Sequence, residues 1–385
     1  MRKISILGST GSIGKQALQI VRMHPDRFSV RALTAHSSTG LLFEQVRSFR
    51  PVMAGLTGLE ADRVQIPDDL RFCEWHFGQE ALLYAAGEVP CDDVLISVVG
   101  MAGLPAVLAA RQAGRRVLLA NKEALVAGGG IVMQLCAAER DDPVLIPVDS
   151  EHSAIYQCLQ SAGESCCEKI LLTASGGPFR NFTRRELEHV TLSQALTHPN
   201  WSMGAKITVD SATMFNKALE VIEARWLFDT EPQRIQVLIH PQSIVHSMVQ
   251  FRDGAVLAQL GTPDMRVPIA YAMSYPERIP TGAKQVDFAA AGPLEFSQVD
   301  PDRFPAVGMA YAALKAGGAA CCVLNAANEE ANSRFRAGGI TFLQIGRVVR
   351  DVLDSLGHLP AETIDEVYAA DRAARLKACD LMDHY

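Results

Sequence analysis

The sequence predicts an α/β protein in three parts: a doubly wound parallel sheet, a second α+β domain and a C-terminal helical bundle. Three observations carry this. Short apolar runs alternate with helix-length segments over the first third of the chain, a glycine-rich turn follows the first run, and helix-length segments succeed one another through short connections at the end.

Taken in order, Ile4–Leu7 reads as a first strand and Lys15–Met23 as a helix closed by His24-Pro25. Phe28–Thr34 is a second strand, and Ser37–Phe49 a helix that Pro51 stops. Val94–Val99 is a buried strand, followed by a helix over Leu104–Ala113 and a strand over Arg116–Ala120. Asn121–Ala138 is mostly helical despite three consecutive glycines, and Leu145–Val148 is the next strand. Lys169–Ala174 opens the middle part as a strand running into Ser175-Gly176-Gly177-Pro178-Phe179. The polar stretch from Arg180 to Lys206 lacks apolar periodicity, which suits a surface excursion or lid. Ser211–Phe228 has helical spacing, and Val237–Ile239, Ser243–Phe251 and Ala255–Gln259 read as strands of a second sheet. Gly261–Asp264 and the loop-rich 275–305 region suggest a connecting arm. Pro305–Ala316, Ala319–Phe335, Thr341–Leu356 and Thr363–Met382 are helices. The expected domains are 1–149, 150–274 with the lid near 180–206, a linker arm 275–304, and 305–385.

With 385 residues, 48% of them hydrophobic, the chain can bury a substantial core without crosslinks. The net charge of −7 comes from 36 basic and 43 acidic residues with no long run of either sign, which argues against a nucleic-acid partner. Nine cysteines, two pairs of them adjacent (Cys166-Cys167 and Cys321-Cys322) and none in a CxxC, read as free thiols in a reducing compartment. The first strand begins almost at the N-terminus, with no leader before it, and no apolar run reaches membrane-spanning length. The expected location is the cytoplasm.

Gly8-Ser9-Thr10-Gly11-Ser12-Ile13-Gly14 lies between the first strand and the first helix. Glycines there permit a tight turn and close backbone approach, and the helix N-terminus offers amides and positive dipole to a pyrophosphate. This is the place of the dinucleotide loop in a Rossmann-like sheet. Its spacing is GxxGxxG, which strand–helix turns without a ligand also show. At the end of the second strand, His36-Ser37-Ser38-Thr39 supplies hydroxyls and an imidazole, with no acid before Glu44. An NAD site wants a carboxylate there for the ribose, so NADP is favoured.

Asp149-Ser150-Glu151-His152 follows a buried strand at its carboxyl end, where open α/β sheets bind ligands. In an extended segment Asp149 and Glu151 point the same way, and a hard divalent cation would relieve their repulsion. A solvated acidic turn is the plainer alternative. Asn216, Lys217 and Glu220 share one face of the next helix, either towards a site or as an ordinary surface pair. Asn121-Lys122-Glu123 again follows a strand. Ser175-Gly176-Gly177 and Ser211 read as turns able to hold phosphate oxygens. His198 is either an acid, a base or phosphate donor, or a loop histidine; Trp201 is a cover or a small-core anchor. His240 and His246 read as structural.

Together GSTGSIG (8–14), ANKE (120–123), PVDSEH (147–152), LTASGGPF (172–179), HPNWSMG (198–204), VDSATMFNKALE (209–220), IHPQSIVH (239–246), QLGTPDMR (259–266) and LNAANE (324–329) closely resemble the 1-deoxy-D-xylulose 5-phosphate reductoisomerase family. The resemblance covers nearly the whole chain in order. It implies a homodimer whose subunit has an NADPH domain, a catalytic domain with a mobile lid and a C-terminal helical domain. It also implies isomerisation and reduction of 1-deoxy-D-xylulose 5-phosphate to 2-C-methyl-D-erythritol 4-phosphate, the committed step of non-mevalonate isoprenoid synthesis. By the resemblance Asp149, Glu151 and Glu220 are metal ligands for Mn²⁺, Mg²⁺ or Co²⁺. Lys122, Ser150, Glu151, Ser175, His198, Ser211, Asn216, Lys217 and Glu220 contact substrate, with Ser175, Ser211, Asn216 and Lys217 towards its phosphate. Catalysis falls to Lys122, Asp149, Glu151, Glu220 and His198. Thr10, Gly11, Ser12, Ile13, Asn121, Glu123 and Gly204 match cofactor contacts, beside the His36, Ser37 and Ser38 turn. Trp201 and Met203 match the lid. Relatives often carry a basic or amide residue where this chain has His36-Ser37-Ser38. Two other functions fit the glycine loop alone: a two-domain NAD(P)-dependent dehydrogenase of another substrate, needing no metal, and a dinucleotide-binding regulator without turnover.

Overall fold

A computed structural model describes residues 1–137, 143–161, 166–197, 201 and 203–385. In chain order the N-terminal part runs β1 (Arg2–Leu7), α1 (Ser12–Met23), β2 (Phe28–Ala35), α2 (Thr39–Phe49), β3 (Met53–Leu56), β4 (Glu74–Phe77) and α3 (Glu80–Gly87). It continues with β5 (Asp93–Ile96), α4 (Gly103–Gln112), β6 (Arg116–Leu119), α5 (Glu123–Cys136), β7 (Leu145–Pro147) and α6 (Ser150–Leu159). Then come β8 (Cys167–Ala174), α7 (Arg184–Leu187), α8 (Leu192–Ala195), α9 (Ala205–Ala212) and α10 (Phe215–Leu227). The last part holds β9 (Ile235–Ile239), β10 (Val245–Phe251), β11 (Val256–Leu260), α11 (Arg266–Ser274), β12 (Ser297–Gln298), α12 (Ala306–Ala316), α13 (Ala320–Arg336), α14 (Phe342–Leu356) and α15 (Ile364–Met382).

The chain forms two compact units. The first comprises Met1–Ala124, Val132–Ser153 and Asp264–Ala283. Its sheet is parallel throughout, in the order β4-β3-β2-β1-β5-β6-β7. Strands buried on both faces need unbroken apolar runs, and Ile4, Ile6, Leu7, Val94, Leu95, Ile96, Val117, Leu118 and Leu119 are all sealed. The order reverses between β1 and β5, which opens a crevice at the carboxyl ends of these two strands. Inside the sheet Arg116 makes a bidentate pair with Asp93 at 2.8 and 3.0 Å, and burial still raises that carboxyl above its ordinary pKa. Helix α11 lies against α1 and β7, and Arg2 donates to the carbonyls of Met273 and Tyr275 just beyond it.

The second unit comprises Leu125–Ile131, Ala154–Pro263 and Lys284–Tyr385. Its sheet is mixed, in the order β11-β10-β8-β9-β12. The arm supplies the last strand: Ser297 and Gln298 pair with Ile239 and Leu238, Phe296 stacks on His240 at 4.7 Å, and His240 Nδ1 bonds the Glu295 carbonyl at 2.9 Å. His240 Nε2 accepts the amides of Ile244 and Val245, so this histidine is structural, in keeping with its reading from sequence. Helices α12 to α15 follow as an interpacked group, α14 burying Phe342, Ile345, Val348, Val349 and Val352 along one stripe.

Four differences from the sequence reading have physical causes. The segment after β7 is not extended: α6 starts at Ser150, with Asp149 Oδ1 accepting the Glu151 amide at 3.1 Å as a helix cap. The predicted helix over Ser211–Phe228 is two helices, broken where Met214 takes a left-handed φ of 65°. The polar stretch from 180 contains two single-turn helices, each opened by a capping box, Thr183/Glu186 and Thr191/Gln194. Finally β3, β4, α3 and α11 were not anticipated, the strands being only four residues long and β4 half-exposed. Within α5 two of the three glycines have separate tasks. Gly128 leaves helical geometry (φ −124°, ψ 23°), and Gly129 makes room for Trp226, whose ring would lie 2.3 Å from any Cβ there.

Candidate active site

The first unit carries a glycine cradle at its crevice. Gly8 has φ 84°, and a Cβ on it would sit 2.8 Å from the Ser97 carbonyl oxygen at the end of β5. A Cβ on Gly14 would sit 2.4 Å from Ser9 Cα, so the first turn of α1 lies directly on the loop. Gly11 caps α1 without a side-chain hydrogen bond, and Gly11 and Ser12 are exposed. An α1 N-terminus approached by backbone alone suits a pyrophosphate. The loop is braced by residues the sequence reading missed. Ser9 Oγ donates to Gln45 Oε1 at 2.6 Å, Gln45 Nε2 returns to the Ser9 carbonyl at 2.9 Å, and Ser97 Oγ donates to the Leu7 carbonyl at 2.7 Å. No local signal marks Gln45, which faces the loop only because α2 packs beside β2.

At the turn after β2, His36, Ser37 and Ser38 are exposed. His36 Nδ1 lies 3.4 Å from Thr57 Oγ1, and its ring lies against Gly58, where a Cβ would meet it at 2.3 Å. Hydroxyls of Ser37 and Ser38 remain at the surface beside a held imidazole.

The same unit gathers Lys122, Asp149, Ser150, Glu151 and His152. Lys122 Nζ pairs with Asp149 Oδ2 at 3.1 Å, and buried His152 places Nδ1 3.2 Å from Asp149 Oδ1. Ser150 Oγ bonds the Glu151 carboxylate. Both carboxylates are half-buried at an α6 N-terminus, where the helix dipole favours negative charge. Asn121 is 1% exposed, and its amide bonds the carbonyls of Val98 and Gly100, the Glu123 carboxylate and the Ala124 amide. It therefore braces the loops after β5 and β6.

In the second unit Gly177 (φ 66°) lies against α9: a Cβ would be 2.8 Å from the Ser211 carbonyl. The Ser175-Gly176-Gly177 turn and Ser211 are thereby neighbours, with Ser175 Oγ accepting the Gly177 amide at 3.2 Å. Helix α10 is buried on nearly every side, so Lys217 (4% exposed) and Glu220 (1%) are not a solvated surface pair. Asn216 and Lys217 both donate to the Glu220 carboxylate. A carboxylate so desolvated needs this compensation. Trp201 sits 6.1 Å from the His246 ring, and Gly204 is the exposed N-cap of α9. His198 lies outside the described residues. Burial pushes the Cys158 thiol up to about 11 and Cys73 to about 12, and none of the nine cysteines is in a disulfide.

A parallel sheet with a glycine cradle at its switch point, carboxylates and a lysine at neighbouring strand ends, defines a dinucleotide-binding oxidoreductase. Residues 4–129 match 1-deoxy-D-xylulose 5-phosphate reductoisomerase, residues 145–228 its C-terminal domain, and residues 260–377 the DXP reductoisomerase C-terminal domain. The chain is 50% identical to the 1-deoxy-D-xylulose 5-phosphate reductoisomerase of Ralstonia nicotianae, covering 100% of this chain and 98% of the relative. It is 51% identical to that of Cupriavidus metallidurans, covering 97% of each. A crystal structure of DOX-P reductoisomerase in complex with NADPH, fosmidomycin and magnesium matches with a TM-score of 0.91 at 38% identity, over 100% of this chain and 98% of that one. The Zymomonas mobilis enzyme in complex with NADPH matches equally, TM-score 0.91 at 38% identity, over 100% of both chains. The chain belongs to the 1-deoxy-D-xylulose 5-phosphate reductoisomerase family.

Proposed function

We propose that the chain isomerises and reduces 1-deoxy-D-xylulose 5-phosphate to 2-C-methyl-D-erythritol 4-phosphate, using NADPH and a divalent cation. Membership of the family at about half identity over the full chain carries this reading. NADPH and magnesium accompany related structures, and the residues here fit both groups. The cradle at Gly8, Gly11 and Gly14 would hold the pyrophosphate, with Thr10 to Ile13 beside it and His36, Ser37 and Ser38 towards the 2′-phosphate. Asp149, Glu151 and Glu220 would hold the cation, each a hard oxygen donor already kept beside a cation, an amide or a hydroxyl. Once bound, these groups supply Lewis-acid polarisation of substrate oxygens and a hydride.

The chain's own residues do the rest. Ser175, Ser211, Asn216 and Lys217 take the phosphate, which is remote from the reacting carbons, so these contacts anchor the substrate equally before and during the reaction. Lys122, whose Nζ lies 3.1 Å from Asp149, would contact the substrate oxygens that change charge as one carbon–carbon bond breaks and another forms. His198, Trp201 and Met203 belong to a segment, 180–206, that closes over the substrate and excludes water. Functionally the chain divides at 1–149, 150–274, 275–304 and 305–385. A homodimer is supported by β11, an edge strand that exposes Val256 at 47% and Leu257 at 40%. A cytoplasmic setting is supported by nine cysteines of which none forms a disulfide, and among the described residues no helix is long and apolar enough to cross a membrane. Mn²⁺ and Co²⁺ would serve as Mg²⁺ does, since the donors are all oxygen.

The deciding experiment adds 1-deoxy-D-xylulose 5-phosphate, Mn²⁺ and NADPH to purified protein and follows reduced-cofactor absorbance, with identification of the product. Oxidation that needs all three components is expected. Turnover by metal-stripped protein, or none on this substrate, would refute the reading.

A further inference from the structure

We propose that Asp210 is a positioning residue through which α13, in the C-terminal helical group, sets Ser211 for the substrate phosphate. This rests on the assignment of Ser211 to that phosphate.

Asp210 and Ser211 are consecutive in the last turn of α9, so their side chains leave the helix about 100° apart. Asp210 is 1% exposed. Its Oδ1 accepts from Asn328 Nδ2 at 2.9 Å and from Asn332 Nδ2 at 2.8 Å, both on α13, and its Oδ2 pairs with Lys206 Nζ at 3.1 Å. Asn332 Nδ2 also donates to the Lys206 carbonyl at 2.9 Å, while Arg336 Nε donates to Asn332 Oδ1 at 2.8 Å. Arg336 thereby fixes which end of the Asn332 amide faces α9. The clamp grips α9 in its first turn, at Lys206, and in its last, at Asp210.

The other side of α9 is bounded by Gly177, whose missing Cβ would sit 2.8 Å from the Ser211 carbonyl and 3.1 Å from Ala212 Cα. Helix α9 is held between α13 and the turn that carries Ser175. Apolar contacts alone would let an eight-residue helix slide by tenths of an ångström. Directional bonds to a buried charge do not, because displacement leaves that charge uncompensated. The spacing of Ser175 and Ser211 is therefore set from α13.

The test uses the full-length enzyme with metal and NADPH, comparing Asp210→Asn, Asn332→Leu, Ser211→Ala and the double variant Asp210→Asn/Ser211→Ala. Asp210→Asn and Asn332→Leu should each raise KM for the sugar phosphate by about tenfold or more, the worth of a hydrogen bond to a charged group. Their kcat should stay within about twofold and their NADPH affinity unchanged, as expected when binding energy alone is lost. In the Ser211→Ala background, Asp210→Asn should add nothing further to KM. A merely structural role would lower the thermal midpoint and kcat at unchanged KM, and would overturn the proposal. So would full additivity in the double variant. If Ser211→Ala raises KM while Asp210→Asn and Asn332→Leu leave it alone, this inference fails by itself. If Ser211→Ala leaves KM unchanged, the phosphate assignment fails and takes the inference with it. Should Asp210→Asn not fold, Asn332→Leu, which keeps the carboxylate, decides.

Discussion

The glycine loop of the first unit and the α9–α10 region of the second handle charge by opposite means. Around Gly8, Gly11 and Gly14 the chain offers backbone amides, a helix N-terminus and short polar braces, with no ionised side chain among the bonds that hold the loop. Along α9 and α10 the work falls to side chains taken out of water: Asp210, Lys217 and Glu220 are at most 4% exposed, and each is held by named partners. A backbone-built site fails when atoms are added to it. A side-chain-built site fails when charge is removed.

The largest effect expected from this contrast is at Glu220. Glu220→Gln keeps the size and the Asn216 contact but removes the negative charge that faces Lys217. Turnover at limiting Mn²⁺ should fall more than about a hundredfold, beyond the loss typical of a supporting partner. NADPH affinity should not change, and circular dichroism should confirm the fold. Wild-type turnover in this variant would remove Glu220 from the metal site.

The mirror image is Gly14→Ala. The added Cβ meets backbone at Ser9 and Gly8, which cannot swing aside, so NADPH binding followed by fluorescence should weaken about tenfold or more. Mn²⁺ affinity by calorimetry should stay at the wild-type value. Loss of both together would mean that the two regions are not separable.

A finer contrast lies within α10. Lys217→Ala should weaken phosphate binding by about tenfold, read as KM or as inhibition by inorganic phosphate. Because Lys217 also donates to Glu220, its removal takes away a cation that competes with the metal, so Mn²⁺ affinity should rise. Weaker metal binding would show that Lys217 organises Glu220 for the ion instead. The smallest effect belongs to the exposed turn after β2. Ser37→Asp should reduce the kcat/KM preference for NADPH over NADH by on the order of threefold, since an exposed charge is screened. An unchanged ratio would place the 2′-phosphate away from this turn.

How much of this was legible depended on whether the signal was local. The capping boxes at Thr183/Glu186 and Thr191/Gln194 are written in the sequence as T-x-x-E and T-x-x-Q, although single-turn helices leave no periodicity to find. The break at Met214 was not legible, because a methionine in the left-handed region has no compositional mark. Helical placement of Glu151 was missed for a different reason: Asp149-Ser150-Glu151 alternates like a strand end, and only the Asp149 cap reveals the helix start. Glu220 and Lys217 pair on one face of the helix, yet a solvated surface pair has the same spacing. Burial of α10 decides between them.

By itself the sequence determined the parallel sheet, the four C-terminal helices, the glycine cradle and the family, because these rest on period, turn chemistry and contiguous blocks of residues. Only the tertiary structure decided who partners the buried charges. Asp210 meets Asn328 and Asn332 across separations of 118 and 122 residues, and Ser9 meets Gln45 across 36. The cost of desolvating a charge is known from the residue alone, but the groups that offset it are chosen by how distant helices pack.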